Sequence, residues 1–343
     1  MSTTRSALLR VEPYTPAHAA AWDALVAASI NGPFLFQRSF LEYHQDRFQD
    51  HSWLVWQGAT LRAIFVAGVA RDTPEPTSLV AHPGLAYGGL VTAALPKYTE
   101  MATWLELLRE AWRAAGFRQL VLKPVPRVFC RQSSEALLFW LHQQGAQLAA
   151  REINSVVNLT QPFRIGTWRR GNLRKARRHG VVVTSGTTSD YADFWDLLAH
   201  NLLQSHSHRP VHTLAEISRL RDQHPGHLEL WIARFETEIV GGVLLFQDAR
   251  QGFVHTQYIA GSPRGKQVGA VDAVLAHLLT VKKGGFQRLS FGISSVQGEV
   301  NTGLLTQKEG FGATAETVDT YVLSVMKNEE LSKGLPWQFF IPH

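Results

Sequence analysis

The sequence predicts an α+β protein built from two related domains. Three observations carry this reading. The chain has 343 residues, more than a single hydrophobic core usually organises, so two domains are expected. Its composition, 45% hydrophobic, 10% aromatic and 18% charged, supplies enough apolar surface for large cores and excludes global disorder. The order of apolar segments in the first half also recurs in the second, with a period of about 170 residues. That period suits two related domains and not a solenoid, whose repeats run to about 20–50 residues.

In the first half, Ser52–Gln57 and Leu61–Ala70 are short apolar runs around Gly58, the pattern of a hairpin. Thr99–Ala115 places Met101, Leu105, Leu108 and Trp112 at helical spacing and stops at Gly116. Phe117–Leu122 then reads as a strand. The second half follows the same order: strands over Leu228–Arg234, Ile239–Phe246 and Gly252–Ala260, a helix over Val268–Lys283 and a strand over Phe286–Ile293. Even the junctions match in residue type, Ala115-Gly116-Phe117-Arg118-Gln119-Leu120 against Gly284-Gly285-Phe286-Gln287-Arg288-Leu289. Tyr191–Leu203 and Thr213–Asp222 add two helices, with Asp190 and Thr213 available as caps. A linker or domain boundary is expected around Gly145–Arg151, before a strand at Ser155–Leu159. The expected domains are 1–150 and 151–330, followed by a tail over 331–343 that carries two prolines and several aromatics.

One cysteine, Cys130, excludes an internal disulfide and a four-thiolate zinc site. The longest clean apolar stretch, Ile239 to Phe246, is far shorter than the roughly 20 residues needed to cross a bilayer, and it reads as a buried strand. Met1 to Arg10 holds no apolar core, so no secretory signal is expected. The expected compartment is the cytoplasm.

The net charge of +6 is local in origin: between Glu152 and Asp190 there is no acidic residue, but there are Arg164, Arg169, Arg170, Arg174, Lys175, Arg177 and Arg178. The remaining 27 basic and 28 acidic residues leave a balance of −1. A solvated basic helix is one reading of such a run. The other is a site for phosphate, pyrophosphate or nucleic acid, since clustered guanidinium groups hold phosphate oxygens bidentately. Trp168 alone does not make a base-stacking surface, and no helix-turn-helix or RNA-binding signature accompanies it, so a phosphate-bearing ligand is favoured over DNA.

After the strand that contains His255-Thr256-Gln257-Tyr258-Ile259-Ala260 comes Ser262-Pro263-Arg264-Gly265-Lys266-Gln267-Val268-Gly269-Ala270, and then a helix. A strand, a glycine-containing turn and a helix N-terminus present free N–H groups and a positive dipole end to pyrophosphate. The spacing resembles the Arg/Gln-x-x-Gly-x-Gly/Ala loop of the GNAT superfamily of acyl-CoA-dependent N-acyltransferases. Arg264 and Gly269 match, whereas Gln267 replaces the middle glycine, which lets backbone approach phosphate closely. The following Phe291-Gly292-Ile293-Ser294, Gly298, Asn301, Gly303, Leu304 and Gln307-Lys308-Glu309-Gly310-Phe311-Gly312 resemble the C-terminal part of the Fem-like branch. Arg170 to Gly180, running into Val181-Val182-Val183, resembles the entry to the second domain of the same branch. The resemblance covers Glu152–Tyr321 well and the first half more loosely.

That resemblance implies two tandem GNAT-like domains, each a mixed, mostly antiparallel sheet flanked by helices. It also implies transfer of an acyl group to a primary amine, which requires a deprotonated amine, a positioned carbonyl and donors for the developing oxyanion. The thioester would lie beside a splayed strand at Thr256–Ala260. Tyr258 is the candidate proton donor to the leaving group, and His255 or Glu309 the acceptor of the amine proton. Lys308 looks like the lysine at the end of the Fem groove, a binder of an anionic group or oxyanion. Arg264, Gly265, Lys266, Gln267, Val268, Gly269 and Ala270 are the expected co-substrate loop. Arg174, Arg209, His212, Gln257, Ser294 and Asn301 are expected substrate contacts. In the first domain His82, Tyr87 and Lys123 follow strand ends where an acceptor groove is expected. Each has a plainer reading: a strand tyrosine is often a packed aromatic, Glu309 suits a surface, and glycine and proline clusters make turns.

His200, His206, His208, His212, His224 and His227 lack the compact spacing of a metal site, and no metal is expected. Ser185, Ser205 and Ser294 lack a Gly-x-Ser-x-Gly context, so a serine hydrolase is not supported. The leading expectation is a cytoplasmic N-acyltransferase that uses acyl-CoA as co-substrate, binds no permanent cofactor, and acylates an amine on an amino-sugar, envelope precursor or related small metabolite bearing phosphate. The alternative is an aminoacyl-tRNA-dependent transferase, as Fem peptidyltransferases are, with tRNA as partner. A third is an inactive GNAT-like binding protein.

Overall fold

Strands with one buried face and helices with one apolar stripe assemble into two units in the computed structural model, which describes residues 8–70, 77–206, 209–296 and 298–326. One unit holds the chain up to Arg151 and again from Val318, and the other runs from Glu152 to Thr317.

In the first unit, β1 (Leu9–Pro13), α1 (Ala19–Ala28), α2 (Arg38–Leu41), β2 (Phe48–Asp50), β3 (Trp53–Gln57), β4 (Thr60–Val66), β5 (Gly68–Ala70), β6 (Ser78–Val80), β7 (Gly89–Thr92), α3 (Tyr98–Ala114), β8 (Gln119–Leu122) and α4 (Ala136–Gln143) follow in order. The strands β1-β3-β4-β7 pair antiparallel. The expected hairpin is β3–β4, turned by Gly58 at φ 60°. Parallel pairing of β6 with β8 requires a crossover, and α3 lies within it. One face of α3 buries Met101, Trp104, Leu105, Leu108 and Trp112, and Trp112 packs 4.7 Å, centroid to centroid, from Phe65. Each such side chain contributes about 1.5–3 kcal/mol of burial free energy. Gly116, at φ 93°, closes the helix in the left-handed region that its sequence position predicts.

The units divide between Arg151 and Glu152, at the end of the stretch expected to hold a linker or boundary, but Gln147 to Arg151 are the extended start of the strand β9 (Gln147–Asn158) and not an irregular linker. The second unit continues with α5 (Thr167–Arg178), β10 (Val182–Ser185), α6 (Asp190–His206), α7 (Leu214–Gln223), β11 (Leu228–Phe235), β12 (Glu238–Asp248), β13 (Phe253–Gly261), α8 (Pro263–Val268), α9 (Ala270–Val281), β14 (Arg288–Ile293), β15 (Ser295–Val296), β16 (Glu299–Val300) and α10 (Thr302–Glu309), and the last strand, β17 (Thr314–Ser324), starts in it and leaves it after Thr317. Its sheet has the order β10-β11-β12-β13-β14-β9, antiparallel except for the parallel pair β13–β14. A core under α9 joins Val243, Leu245, Val254, Val274, Leu278, Leu289 and Phe311.

The end of the expected second domain differs. From Val318 the chain belongs to the first unit, where β17 pairs with β8 (Tyr321 opposite Leu122, Ser324 opposite Gln119). Arg109 of α3, buried, donates to the carbonyls of Ser324 (3.0 Å), Val325 (3.1 Å) and Met326 (2.7 Å) and to Gln144 Oε1. These bonds satisfy carbonyls at a strand end that burial would otherwise leave unpaired. The expected tail over 331–343 lies outside the described residues. Among the described residues no helix is long and apolar enough to cross a membrane.

Candidate active site

The chemistry-bearing residues of the second unit gather where β13 and β14 part. The two strands pair only through Phe253, Val254 and His255 with Arg288, Leu289 and Ser290. On its other side β13 carries an irregularity: Phe246 faces His255, Leu245 faces Thr256, and Leu244 faces Tyr258, so Gln257 is an extra residue in a bulge. Directly opposed residues share a sheet face, and successive residues alternate. Phe246 and Leu244 are two apart and share a face. Their partners His255 and Tyr258, three apart, therefore share it too, which regular alternation forbids. Leu245 and Val243, on the other face, pack under α9.

Tyr258 projects toward α6 and the turn before α7. Its ring meets Trp195 edge-on at 5.3 Å, and its hydroxyl lies 2.7 Å from Nδ1 of buried His212. Thr213, capping α7 through a reciprocal pair with Glu216, fixes the backbone beside His212. Burial pushes the Tyr258 hydroxyl up to about 12, so it remains protonated at neutral pH.

His255 sits against a buried polar network absent from the sequence expectations. The Ser290 hydroxyl donates to Asn154 Oδ1 (3.0 Å) and accepts from the Gly292 N–H (3.2 Å). Nδ1 of His255 lies 3.1 Å from that same oxygen. Burial, and then the nearby charge of Lys308, bring the imidazole down to about 4. It is a neutral group at physiological pH.

Lys308 arrives on α10. Asn301 caps this helix by accepting from the Leu304 N–H at 3.0 Å, so its side chain is a structural cap. Lys308 is 5% exposed, and Nζ donates to the carbonyls of Gly292 (2.9 Å) and Ile293 (2.6 Å) at the end of β14. Its third N–H has no protein partner among the described residues. Burial lowers the ammonium to about 8. Neighbouring Glu309 is exposed, one helical step round from Lys308, and does not join the group. Gln257 forms the bulge. Ser294 is buried, with its hydroxyl 3.3 Å from that of Ser155. Arg209 and Arg174 are exposed.

The expected co-substrate turn is a helix. Ser262 caps α8 by accepting from the Gly265 N–H (3.0 Å), and the Lys266 and Gly269 N–H groups donate to the Ser262 and Gly265 carbonyls. Arg264, Lys266 and Gln267 are exposed, whereas Gly265, Val268, Gly269 and Ala270 are buried. Gly265 is required by packing, because a Cβ there would lie 1.9 Å from the Val240 carbonyl oxygen. Gly269 adopts φ 76° and presses on the Asn172 carbonyl. The first turn of α9 also carries its own anion: buried Asp272 accepts from Arg169 NH1 at 2.9 and 3.0 Å and from Asn172 Nδ2 at 2.5 Å. A carboxylate in that position already answers the helix dipole.

In the first unit, His82 is buried at φ 39° with its ring 5.3 Å from His44, and its Nδ1 has no hydrogen-bond partner. Burial lowers it to about 4. Tyr87 is buried, stacked 5.0 Å from Phe129. Lys123 directly follows β8, and its carbonyl accepts from the Gly88 N–H. Among the described residues no group of three or more His, Cys, Asp and Glu could hold a metal ion; His208 lies outside them.

No protein-family model and no curated protein matches the chain. Solved structures resemble it along nearly its whole length. FemX superposes with a TM-score of 0.66 at 11% identity, covering 92% of this chain and 97% of that one. L-PGS from Bacillus licheniformis gives 0.58 at 14% identity, covering 93% and 94%. A tandem GNAT protein from the clavulanic acid biosynthesis pathway gives 0.51 at 7% identity, covering 94% and 100%. The chain thus has the tandem fold that FemX, L-PGS and tandem GNAT proteins share, as the loop and C-terminal motifs predict.

Proposed function

We propose that this protein is an N-acyltransferase that moves an aminoacyl group from an activated ester, as on aminoacyl-tRNA, to a primary amine of an amino-sugar, envelope precursor or related metabolite. The observation that carries the reading is the third Lys308 N–H, without a partner among the described residues, on a buried ammonium beside neutral His255 where β13 and β14 part. The amine nitrogen attacks the ester carbonyl, and its proton passes to the neutral imidazole of His255. Lys308 donates to the oxyanion of the tetrahedral intermediate. As the C–O bond breaks, Tyr258 protonates the leaving oxygen, and its link to His212 orients the hydroxyl. Closing the new amide therefore exchanges one C–O bond for one C–N bond, with one proton taken and one given.

An acyl-CoA donor is the second reading. Arg264, Lys266 and Gln267 are exposed on α8 at positions suited to a pyrophosphate. Against it, Asp272 occupies the first turn of α9 and the Gly265, Lys266 and Gly269 N–H groups are already bonded. The test incubates the full chain with isotopically aminoacylated tRNA or with acetyl-CoA, together with a panel of amino-sugar and lysine-containing acceptors. Label moving from tRNA into amide supports the first reading; label moving only from acetyl-CoA replaces it with the second. No transfer from either donor overturns both and leaves a binding protein.

A further inference from the structure

None of the groups placed in the transfer step lies on the basic run of the sequence. On α5, Arg170, Arg174 and Arg178 recur every fourth residue along one exposed line, with exposed Arg177 beside them. Like charges at this spacing weaken an isolated helix. None of the four forms an ion pair with a carboxylate among the described residues; Arg170 bonds only the Thr167 hydroxyl, at 3.1 Å. The opposite face of the helix is held down by Arg169, buried on Asp272, and by buried Ala176.

Two further observations adjoin this stripe. Trp168, in the first turn of α5, is 69% exposed, and Val182, the first residue of edge strand β10, is 57% exposed. Between α5, β10 and α9 runs an open groove of about 420 Å³, a size typical of small-molecule sites. Its apolar lining comes from Leu173, Ala176, Val181, Val182, Ala273 and Ala276, its polar lining from Arg177, His277 and Thr280; of the four arginines Arg177 reaches it, and the other three stand further round α5.

Cations alone would serve a nucleic-acid backbone, and bases would call for stacking rings or hydrogen-bonding readers. Here an aliphatic groove lies beside the cations instead. An anionic lipid matches both parts, with phosphate at the arginines and acyl chain in the groove, while an exposed tryptophan suits the boundary between headgroups and chains. We propose that the α5–β10–α9 face docks on an anionic bilayer surface, with the arginine stripe at the headgroup phosphates and a lipid chain in the groove. This assignment stands or falls separately from the acyl-transfer reading.

The experiment is co-sedimentation of the full chain with vesicles of phosphatidylglycerol and phosphatidylcholine, or of phosphatidylcholine alone, at low and high salt. Binding is expected only to the anionic vesicles and is expected to weaken with salt. The double variant Arg170→Glu/Arg178→Glu changes only exposed side chains and should bind about tenfold more weakly or worse. Ala276→Trp fills the groove without altering charge and should weaken binding severalfold, with the melting temperature of each variant reporting its folding. Failure of the wild type to bind anionic vesicles, or equal binding by the folded charge-reversal variant, overturns the proposal. Unchanged binding by folded Ala276→Trp overturns the groove assignment. A wild-type chain that ignores vesicles but binds a short single-stranded RNA in a salt-dependent manner would give the face to nucleic acid.

Discussion

The Tyr258 hydroxyl lies 2.7 Å from Nδ1 of His212, a pair joined from β13 and the turn before α7. Tyr258→Phe keeps the ring against Trp195 and removes only the hydroxyl. Turnover in the transfer assay should fall by about 10²-fold, the typical contribution of a positioned acid. Thermal unfolding should change little, since one such hydrogen bond contributes about 1 kcal/mol. A variant with full turnover would remove Tyr258 from the mechanism.

Lys308 gives a pH signature. Its ammonium titrates near 8, down from 10.5 because burial disfavours the charged form. The oxyanion needs the protonated form, so turnover should be sustained below pH 8 and decline as pH rises through that value. Lys308→Ala should lower turnover by about 10²-fold or more at pH 7 and erase this limb of the profile. A wild-type profile flat to pH 9 would contradict the assignment.

His82 controls acid stability in the first unit. Its folded-state value of about 4 lies below the ordinary 6.5 because the ring is buried. Above pH 6.5 the residue is neutral whether folded or unfolded and has no effect on the balance. Between 6.5 and 4 the unfolded chain binds a proton that the folded chain does not, so stability falls with pH across this window. The full loss is on the order of 3 kcal/mol. Asparagine tolerates positive φ, so His82→Asn should reduce the drop in melting temperature between pH 7 and pH 5 without unfolding the protein at pH 7.

The Arg169–Asp272 pair ties α5 to the start of α9, with both residues buried. Asp272→Ala leaves a guanidinium in low dielectric without its partner. The expected loss is about 3–5 kcal/mol, read as a lowered urea midpoint. An unchanged midpoint would mean that α5 swings out to hydrate Arg169.

Local chemistry was legible along the chain wherever it depended on neighbours in sequence. The apolar spacing of Met101, Leu105, Leu108 and Trp112 marks α3, and Gly116 marks its end, because both follow from helix geometry. The matching junctions at Phe117 and Phe286 differ in detail: Gly116 closes α3 at φ 93°, whereas after α9 the left-handed glycine is Gly284 at φ 95°, one residue before the matched Gly285. Arg264–Gly269 was misjudged as a turn, since a serine cap and a proline at the first position start a short helix equally well. The Gly145–Arg151 stretch ends where the two units divide, but it is extended and not a loose linker, since from Gln147 it belongs to a strand whose pairing lies elsewhere in the chain. Asn154 and Ser290 gave no signal beyond their residue types, as nothing local brings together groups 136 positions apart.

By itself, the sequence determined the elements, the tandem fold they resemble and the confinement of the excess charge to α5. Tertiary structure decided that Gln257 bulges and so puts His255 and Tyr258 on one face, that Lys308 is buried with one N–H left without a partner among the described residues while Glu309 is exposed, and that Arg177, beside the arginine stripe, lines a groove between α5, β10 and α9. The division has one physical cause. Helical period and capping are set by residues within a turn of each other, whereas register, burial and groove depend on strands and helices that meet only after the chain has folded.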